Sequence, residues 1–227
     1  MKIGIIGAGQ IGGTLTRRLT ALGHKVFVAN SRGPESLRNL ANETGATPVS
    51  VNEAARNGEI VIVTIPEKNI ANLPRDLFKG VPDSVVLIDT GNYYPQNRDG
   101  RIEGIEQGET ESRWVSQQLG RPVIKAFNTI RADHLLRLGR PKGSPDRIAL
   151  PVAGDDSEAK GMVIKLLDDL GFDAVDAGGL DDSWKFQPGT PVYGADLNAE
   201  RAKVALSKAR KERTPEWRGV SKRKATS

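Results

Sequence analysis

The sequence is poor in the side chains that build covalent cross-links and metal sites. It has no cysteine, which excludes disulfides, thiolate metal ligands and cysteine nucleophiles. Only two histidines remain as imidazole ligands, and His24 and His134 lie far apart in the sequence. We therefore expect no metal site.

Long apolar runs are missing as well. No stretch approaches the roughly 20 residues that a membrane-spanning helix needs. Residues 2–6 run straight into a glycine turn, where a signal peptide would have a cleavage site. We expect a cytoplasmic protein with no membrane partner.

The net charge of +5 is concentrated at one end of the chain. From residue 199 onward there are ten Lys and Arg against three Asp and Glu, whereas the preceding 198 residues carry a net charge of −2. Such an end is typical of a solvated terminal helix and a frayed tail, with phosphate binding as the alternative. We expect no nucleic-acid partner.

Short β-branched segments alternate with helical segments along most of the chain, and several are continuous apolar runs typical of parallel strands covered on both faces. The predicted strands are residues 2–6, 25–29, 47–49, 60–64, 85–88, 123–127, 148–152 and 172–176. Helices with short joints between them predict an α/β fold, namely a Rossmann-type doubly wound, mostly parallel sheet with helices on both faces. We assign residues 1–180 to this domain. Residues 181–227 are a short C-terminal extension with a pocket loop, a helix and a basic tail.

A glycine motif, Gly7-Ala8-Gly9-Gln10-Ile11-Gly12, lies between the first predicted strand and the first predicted helix. In that context Gly7 permits a tight turn, Gly9 lets a pyrophosphate approach the backbone, and Gly12 lets helix and sheet pack closely. Unpaired N–H groups at the helix start then face the phosphates. The motif predicts a dinucleotide site at Gly7, Ala8, Gly9, Gln10 and Ile11.

The end of the second strand indicates which dinucleotide binds. An NAD site would place Asp or Glu there, whereas this chain has Asn30, Ser31 and Arg32. An amide, a hydroxyl and a guanidinium can all donate hydrogen bonds to a 2′-phosphate, which a carboxylate would repel. NADP(H) is the expected cofactor, and a polar turn that caps the next helix is the alternative.

The later strand ends are expected to hold the nicotinamide half of the dinucleotide. They carry Thr64, Ile65 and Pro66, then the segment Asp89-Thr90-Gly91-Asn92, then Ala126-Phe127-Asn128-Thr129. Asn128 is a candidate partner of the carboxamide or ribose, although plain turn chemistry explains each segment about as well. Lys125 interrupts an apolar strand and fits a structural lysine better than a cofactor contact.

Two long segments, residues 89–120 and 176–197, follow predicted strands and therefore leave from the ligand-binding edge of the sheet. Aromatic residues, a proline and a glutamine in these segments are candidates for a second-substrate pocket, with loop packing as the alternative. The candidates are Tyr93, Tyr94, Trp184, Gln187, Pro188 and Tyr193.

The glycine motif, the Asn30-Ser31-Arg32 turn, Val63-Thr64-Ile65-Pro66, Lys125-Ala126-Phe127-Asn128-Thr129-Ile130 and Asp176-Ala177-Gly178-Gly179-Leu180 together resemble the deazaflavin-dependent NADP reductases. The resemblance covers about residues 1–180. It implies hydride transfer between NADP(H) and an 8-hydroxy-5-deazaflavin (coenzyme F-420). The Lys-Ala-Phe-Asn-Thr run also resembles the NADPH-binding domain of the six-transmembrane metalloreductases, which send electrons to a flavin.

Fewer than 50 residues follow Leu180, too few for the helical second domain of related hydroxy-acid dehydrogenases. The expected hydride acceptor is therefore a planar flavin or deazaflavin ring. Its reduction needs alignment more than acid–base groups, and we assign no catalytic residue. A non-catalytic NADP(H)-binding sensor or accessory protein and a small carbonyl or imine reductase stay open as alternatives, and so does a homodimer.

Replacing Arg32 by Ala tests the cofactor assignment. Loss of a charge-assisted hydrogen bond to the 2′-phosphate is expected to weaken NADPH binding by about ten- to a hundredfold. NADH has no 2′-phosphate, so its affinity should stay nearly unchanged. Titration calorimetry with both nucleotides measures the two effects, and equal losses would contradict the assignment.

Overall fold

In the computed structural model, which describes residues 1–219, eight strands form within two residues of their predicted ends. They are β1 (Lys2–Ile6), β2 (Lys25–Ala29), β3 (Thr47–Pro48), β4 (Ile60–Val63), β5 (Val86–Asp89), β6 (Ile124–Lys125), β7 (Ala149–Val152) and β8 (Asp173–Asp176). The helices are α1 (Gln10–Ala21), α2 (Arg38–Thr44), α3 (Val51–Asn57), α4 (Glu103–Glu106), α5 (Glu111–Leu119), α6 (Ala132–Arg137), α7 (Ser157–Asp169) and α8 (Ala199–Ser207).

Six of the strands form one parallel sheet in the order β3-β2-β1-β4-β5-β6. This is the doubly wound order in which the chain reverses direction across the sheet between β1 and β4. The last two strands pair in parallel with each other. A single antiparallel bridge between Lys125 and Ala153 joins this pair to β6. The predicted Rossmann-type α/β fold is therefore confirmed.

Helices cover both faces of the sheet, and each face has its own apolar core. Leu15 and Leu19 of α1 and Leu166 of α7 pack with Ile3 and Ile62 on one face. On the other face, the apolar residues of α3 and α5 pack with Val61 and Val63. Because successive strand residues point to opposite faces, a continuous apolar strand such as β4 supplies both cores.

Local sequence signals set several helix ends as predicted. Gly23, with φ of 81°, follows the end of α1 in the left-handed conformation that glycine adopts without strain. Ser50 and Glu53 form a capping box at α3. The carboxylate of Asp156 accepts from the backbone N–H groups of Glu158 and Ala159 at the start of α7.

The segment 89–120, predicted to be a long loop, contains regular structure. A single π-helical turn at Pro95–Asp99 is followed by α4 and α5. The hydroxyl of Thr110 accepts from the backbone N–H of Arg113 at 3.2 Å and starts α5. Trp114 and Val115 then turn an apolar face of α5 inward, which outweighs the polar composition of the segment.

More of the C-terminal extension packs against the rest of the protein than its basic composition predicted. Arg213 pairs with Glu111 at 2.7 Å, and the side-chain exposures are only 10% and 2%. The backbone N–H of Gly219 donates to Glu106 at 2.6 Å. Residues 208–219 are therefore not a frayed tail, because this ion pair and several hydrogen bonds anchor them to residues 96–111. The rest of the predicted tail, residues 220–227, lies outside the described residues.

No helix within residues 1–219 has both the length and the apolar character needed to cross a bilayer.

Replacing Arg213 by Ala tests this docking. The change leaves the buried Glu111 carboxylate without its nearest cationic partner, so we expect the free energy of unfolding to fall by about 3 kcal/mol or more. Exposed Arg210, which makes no ion pair within residues 1–219, is the matched control, and R210A should change stability by less than about 0.5 kcal/mol. Urea denaturation measures both, and equal effects of the two substitutions would contradict the docked arrangement.

Candidate functional site

A cleft of about 560 Å³ opens where β1, β4, β5 and β6 end, at the reversal point of the sheet. Nearly all of its walls come from the segments that follow these strands. The lining residues are Gly9, Gln10, Ile11, Thr64, Ile65, Pro66, Thr90, Gly91, Asn92, Tyr94, Arg98, Phe127, Asn128, Thr129, Ile130, Arg131, Ala132, Asp133, Tyr193 and Gly194. The size is in the ordinary range for small-molecule and cofactor sites.

The glycine turn brings the start of α1 to one end of the cleft. A Cβ at Gly12 would lie 1.8 Å from the carbonyl oxygen of Gly7, so only glycine allows this approach. A Cβ at Gly9 would meet no atom within 4 Å, which leaves open space over the backbone. Gly9 lines the cleft with Gln10 and Ile11, whereas Gly7 and Ala8 form the turn itself.

The first turn of α1 offers backbone N–H groups to an anion. No side chain caps the helix, and its first turn contains no acidic residue. Neither a carboxylate nor a hydroxyl therefore competes for the positive end of the helix. This is the donor set that a phosphate group takes up at a helix N-terminus.

The Asn30-Ser31-Arg32 turn follows β2, beside β1, and lies beyond the lining of the cleft. The side-chain oxygen of Asn30 accepts from the backbone N–H of Arg32 at 2.9 Å and from the hydroxyl of Ser36 at 3.2 Å. Asn30 thus shapes the turn, in line with the alternative role as a turn residue. The exposed side chains of Ser31 and Arg32 make no hydrogen bond or ion pair within residues 1–219.

Of the other residues predicted at the strand ends, some line the cleft and one lies in the core. Thr64, Ile65, Pro66 and Asn128 line the cleft. Ala126 does not, because its side chain is fully buried, and its prediction as a cofactor contact is therefore corrected.

Phe127 turns the chain between the core and the cleft. It has a φ of 64°, a left-handed conformation that is strained for a bulky residue. After this turn the side-chain amide nitrogen of Asn128 donates to the carbonyl oxygen of Phe186 at 2.9 Å. The side-chain oxygen of Asn128 is buried with no partner in the described part of the chain.

Two tyrosines from distant loops close the other end of the cleft. The hydroxyls of Tyr94 and Tyr193 are hydrogen-bonded to each other across 99 residues of sequence. The ring of Tyr94 is held between the Arg98 guanidinium, 4.9 Å from its centroid, and the Trp217 ring at 6.0 Å. Of the predicted second-substrate candidates, Tyr94 and Tyr193 line the cleft.

The remaining second-substrate candidates lie elsewhere. Tyr93 is fully buried, and its hydroxyl donates to Glu106 at 3.0 Å. It points away from the cleft because successive side chains of an extended backbone, here Tyr93 and Tyr94, point to opposite sides. Gln187 is buried and its side-chain oxygen accepts from Arg213 at 3.1 Å. Pro188 is also buried, and Trp184 faces other surfaces. These four predictions are corrected.

Several lining residues were not predicted, among them Arg98, Arg131 and Asp133. Arg131 and Asp133 come shortly after Asn128 and Thr129. Their position just after a predicted strand is the sequence feature from which their place in the cleft could have been predicted. Desolvation raises the pKa of Asp133, but hydrogen bonds from Arg131 and from the backbone, together with the nearby charges of Arg131 and His134, outweigh it and keep this pKa below its usual range. Arg98 lies in the 89–120 segment, whose aromatic residues were predicted to line a pocket but whose charged residues were not.

Beneath the cleft lies a buried ion pair between Lys125 and Asp89, whose side chains are each 1% exposed. The ammonium group donates to Asp89 at 3.1 Å and to the carbonyl oxygen of Gly91 at 2.7 Å. Burial alone would lower the pKa of Lys125, but Asp89 and Glu111 outweigh it, and the pKa is raised. The expectation of a structural lysine is confirmed, since Lys125 ties β6 to the Asp89–Gly91 end of β5.

Glu67 lies against this pair and has no partner of its own. It is fully buried, and neither of its carboxyl oxygens finds a hydrogen-bond partner among residues 1–219. A Cβ at Gly91 would lie only 2.5 Å from one of these oxygens. Burial raises the pKa of Glu67 well above its usual range, and the nearby Asp89 carboxylate raises it further. Folding therefore favours the protonated form of the Glu67 carboxyl group.

The raised pKa of Glu67 makes stability depend on pH. In the unfolded chain the Glu67 carboxyl group loses its proton above about pH 4.5. The protonated carboxyl group therefore contributes its full stabilisation of the folded state below that pH. This stabilisation is lost as the pH rises towards the pKa of Glu67 in the folded protein. Each pH unit in this window costs roughly 1.4 kcal/mol. Glu67→Gln should remove this slope and stabilise the protein most at alkaline pH, whereas E158Q at an exposed glutamate should keep it. Denaturation at a series of pH values measures the free energy of unfolding of both proteins. If this free energy changes with pH in the same way in the wild type and in E67Q, Glu67 is ionised in the folded protein and the prediction is wrong.

The N-terminal part of the chain matches a described family. Residues 2–93 match the family described as NADP oxidoreductase, coenzyme F420-dependent. The protein YjhV of Escherichia coli is 41% identical over 91 residues. The metalloreductase STEAP3 of Rattus norvegicus is 26% identical over 182 residues, or 79% of this chain. The chain spans only 59% of YjhV and 34% of STEAP3.

Two solved structures have the same fold. The hypothetical protein SMa0349 from Sinorhizobium meliloti is 32% identical with a TM-score of 0.73, and the alignment covers 87% of this chain and 96% of that one. An Arthrobacter protein thought to be an F420-dependent NADP reductase is 24% identical with a TM-score of 0.64, covering 79% and 85%. The chain therefore belongs to the family of NADP oxidoreductases described as coenzyme F420-dependent, with the Sinorhizobium protein as a relative along nearly its whole length.

Proposed function

We propose that this NADP-dependent oxidoreductase transfers a hydride between NADPH and a flavin- or deazaflavin-type ring. The observation that carries the proposal is one continuous cleft with two different ends. An uncapped helix start under open space lies at one end, and a pair of tyrosines lies at the other.

The residues of the first end suit a dinucleotide with a 2′-phosphate. The N–H groups at the start of α1 would hold the pyrophosphate over Gly9. Ser31 and Arg32, which have no partners within residues 1–219, would hold the 2′-phosphate. The unpartnered oxygen of Asn128 suits an amide donor such as a carboxamide N–H.

The walls around the middle of the cleft suit a flat ring. Ile65 and Pro66 offer an apolar surface on the β4 side, and Tyr94 and Tyr193 approach from the opposite loops. When bound there, NADPH would supply the two electrons and the hydrogen of a hydride. The chain's own residues would contribute alignment and exclusion of water, which such a transfer needs most.

Absorbance of the nicotinamide during mixing with different acceptors tests the proposal. Purified protein and NADPH should oxidise the nicotinamide with FMN or with an 8-hydroxy-5-deazaflavin, and much more slowly with simple ketones, aldehydes or cyclic imines. Turnover with the carbonyl or imine set alone would identify a small carbonyl or imine reductase. Tight NADPH binding without turnover of any acceptor would identify a binding protein and contradict the proposal.

Replacing Gly9 by Ala tests the dinucleotide end without disturbing the fold. The added methyl group meets no protein atom within 4 Å and Gly9 has a φ of −74°, so the melting temperature should not fall. The methyl group would occupy the space of the pyrophosphate, and NADPH affinity should drop at least about tenfold. Exposed Gly161 in α7 also has an unobstructed Cβ position, and G161A should leave affinity unchanged. Unaltered NADPH affinity in G9A would contradict the assignment.

A further inference from the structure

The Tyr94–Tyr193 pair has a geometry that wall packing alone does not require. Both residues line the cleft, and their hydroxyls bond to each other and to no other group within residues 1–219. Apolar packing would be served equally well by two phenylalanines. The two hydroxyls therefore call for a polar role in the cleft.

Both tyrosines are held in place by neighbouring residues. The backbone N–H of Tyr94 donates to Asp99 at 2.8 Å, and Arg98 lies over the Tyr94 ring. The backbone N–H of Gly194 donates to the carbonyl oxygen of Thr129 at 3.0 Å, which fixes the Tyr193 loop to the cleft wall. A donor that is held before the ligand arrives needs no reorganisation during the reaction.

A count of hydrogens shows what the pair can offer. Two phenolic hydroxyls bring two hydrogens, and their mutual bond uses one. The second hydrogen, on whichever tyrosine accepts the mutual bond, remains to be donated. Burial and the bond with Tyr94 raise the pKa of Tyr193 above its usual range, so its hydroxyl keeps its proton and acts as a hydrogen-bond donor.

We propose that the Tyr94–Tyr193 hydroxyl pair acts as a single hydrogen-bond donor to the acceptor ring, and that it stabilises the negative charge that develops there during hydride transfer. This role rests on the proposed function. The hydride takes both electrons of the nicotinamide C4–H bond, so NADPH becomes NADP⁺ and the acceptor ring gains a hydrogen and a negative charge. The charge spreads onto a ring carbonyl oxygen, which accepts from the tyrosine hydroxyl. The hydroxyl keeps its proton, and water supplies the proton that completes the reduced acceptor.

The donor also defines the acceptor class. A suitable acceptor carries a carbonyl conjugated to the atom that receives the hydride, since only then does charge appear where a tyrosine can reach it. Flavins and deazaflavins have such a ring. One-electron oxidants and isolated carbon–carbon double bonds do not, so the pair should give them no advantage.

The test compares oxidised and reduced FMN as equilibrium probes of the protein–NADP⁺ complex, by anaerobic fluorescence titration at mildly alkaline pH, where reduced FMN is an anion. Y94F, Y193F and the double variant are measured with Y93F as the matched control, because Tyr93 is buried outside the cleft. The 8-hydroxy-5-deazaflavin is used in the same way if it is the better acceptor. Melting temperatures confirm that each variant is folded.

We expect the double variant to lose about tenfold or more of the preference for reduced over oxidised FMN. Its kcat with NADPH should fall by about ten- to a hundredfold, with little change in the affinity for oxidised FMN. Since both hydroxyls act through one hydrogen bond, the double variant should lose no more than the worse single variant. Y93F should retain the wild-type preference.

Unchanged preference in the double variant, or strictly additive losses from the single variants, would overturn the proposed donor pair while leaving the oxidoreductase assignment intact. A wild-type protein that oxidises NADPH with neither FMN nor the deazaflavin would instead contradict the proposed function itself.

Discussion

The close contact between the glycine turn and the end of β4 is the constraint on which the rest of the site depends. The first turn of α1 packs so tightly that a Cβ at Gly12 would lie 1.8 Å from Gly7 and 2.7 Å from Thr64. Because this contact admits no side chain, the helix starts directly over the sheet edge with its N–H groups bare. The same contact fixes Thr64 and its loop as the next wall of the cleft. The proposed nucleotide site and the proposed reaction site thus share one backbone anchor.

A buried ion pair fixes the strand ends beneath the cleft, just as the close glycine packing fixes the start of α1 at one end of it. Lys125 joins Asp89 and the carbonyl oxygen of Gly91, and so ties two strand ends together below the lining. A charge buried so deeply is tolerated only because it is paired and hydrogen-bonded. Glu67, the one carboxyl in this cluster without a partner in the described part of the chain, has its pKa raised well above the usual range by burial and by the nearby Asp89 carboxylate. The cluster therefore sacrifices some stability at neutral pH to fix the geometry above it.

Much of this arrangement was predictable from the sequence, because it follows from local rules. The limits of β1 and β2, the caps of α1 and α3 and the cleft at the strand ends all come from patterns within about 30 residues. What failed needed contacts between distant segments. Tyr93 and Tyr94 look alike in sequence, yet one is buried against Glu106 and the other meets Tyr193. The docking of Arg213 on Glu111 likewise has no periodic signal, since one ion pair and a few backbone bonds carry it.

We propose that a single cleft holds the nucleotide by the backbone N–H groups at the start of α1 and presents the nicotinamide ring towards the two tyrosines. A crystal structure of the protein grown with NADP⁺ would show whether the nucleotide binds in this way. We expect the pyrophosphate within hydrogen-bond distance of the N–H groups at the start of α1, the 2′-phosphate at Ser31 and Arg32, and the nicotinamide between Pro66 and Asn128. A nucleotide bound with its phosphates away from α1, or with its nicotinamide outside the cleft, would contradict the proposed binding mode.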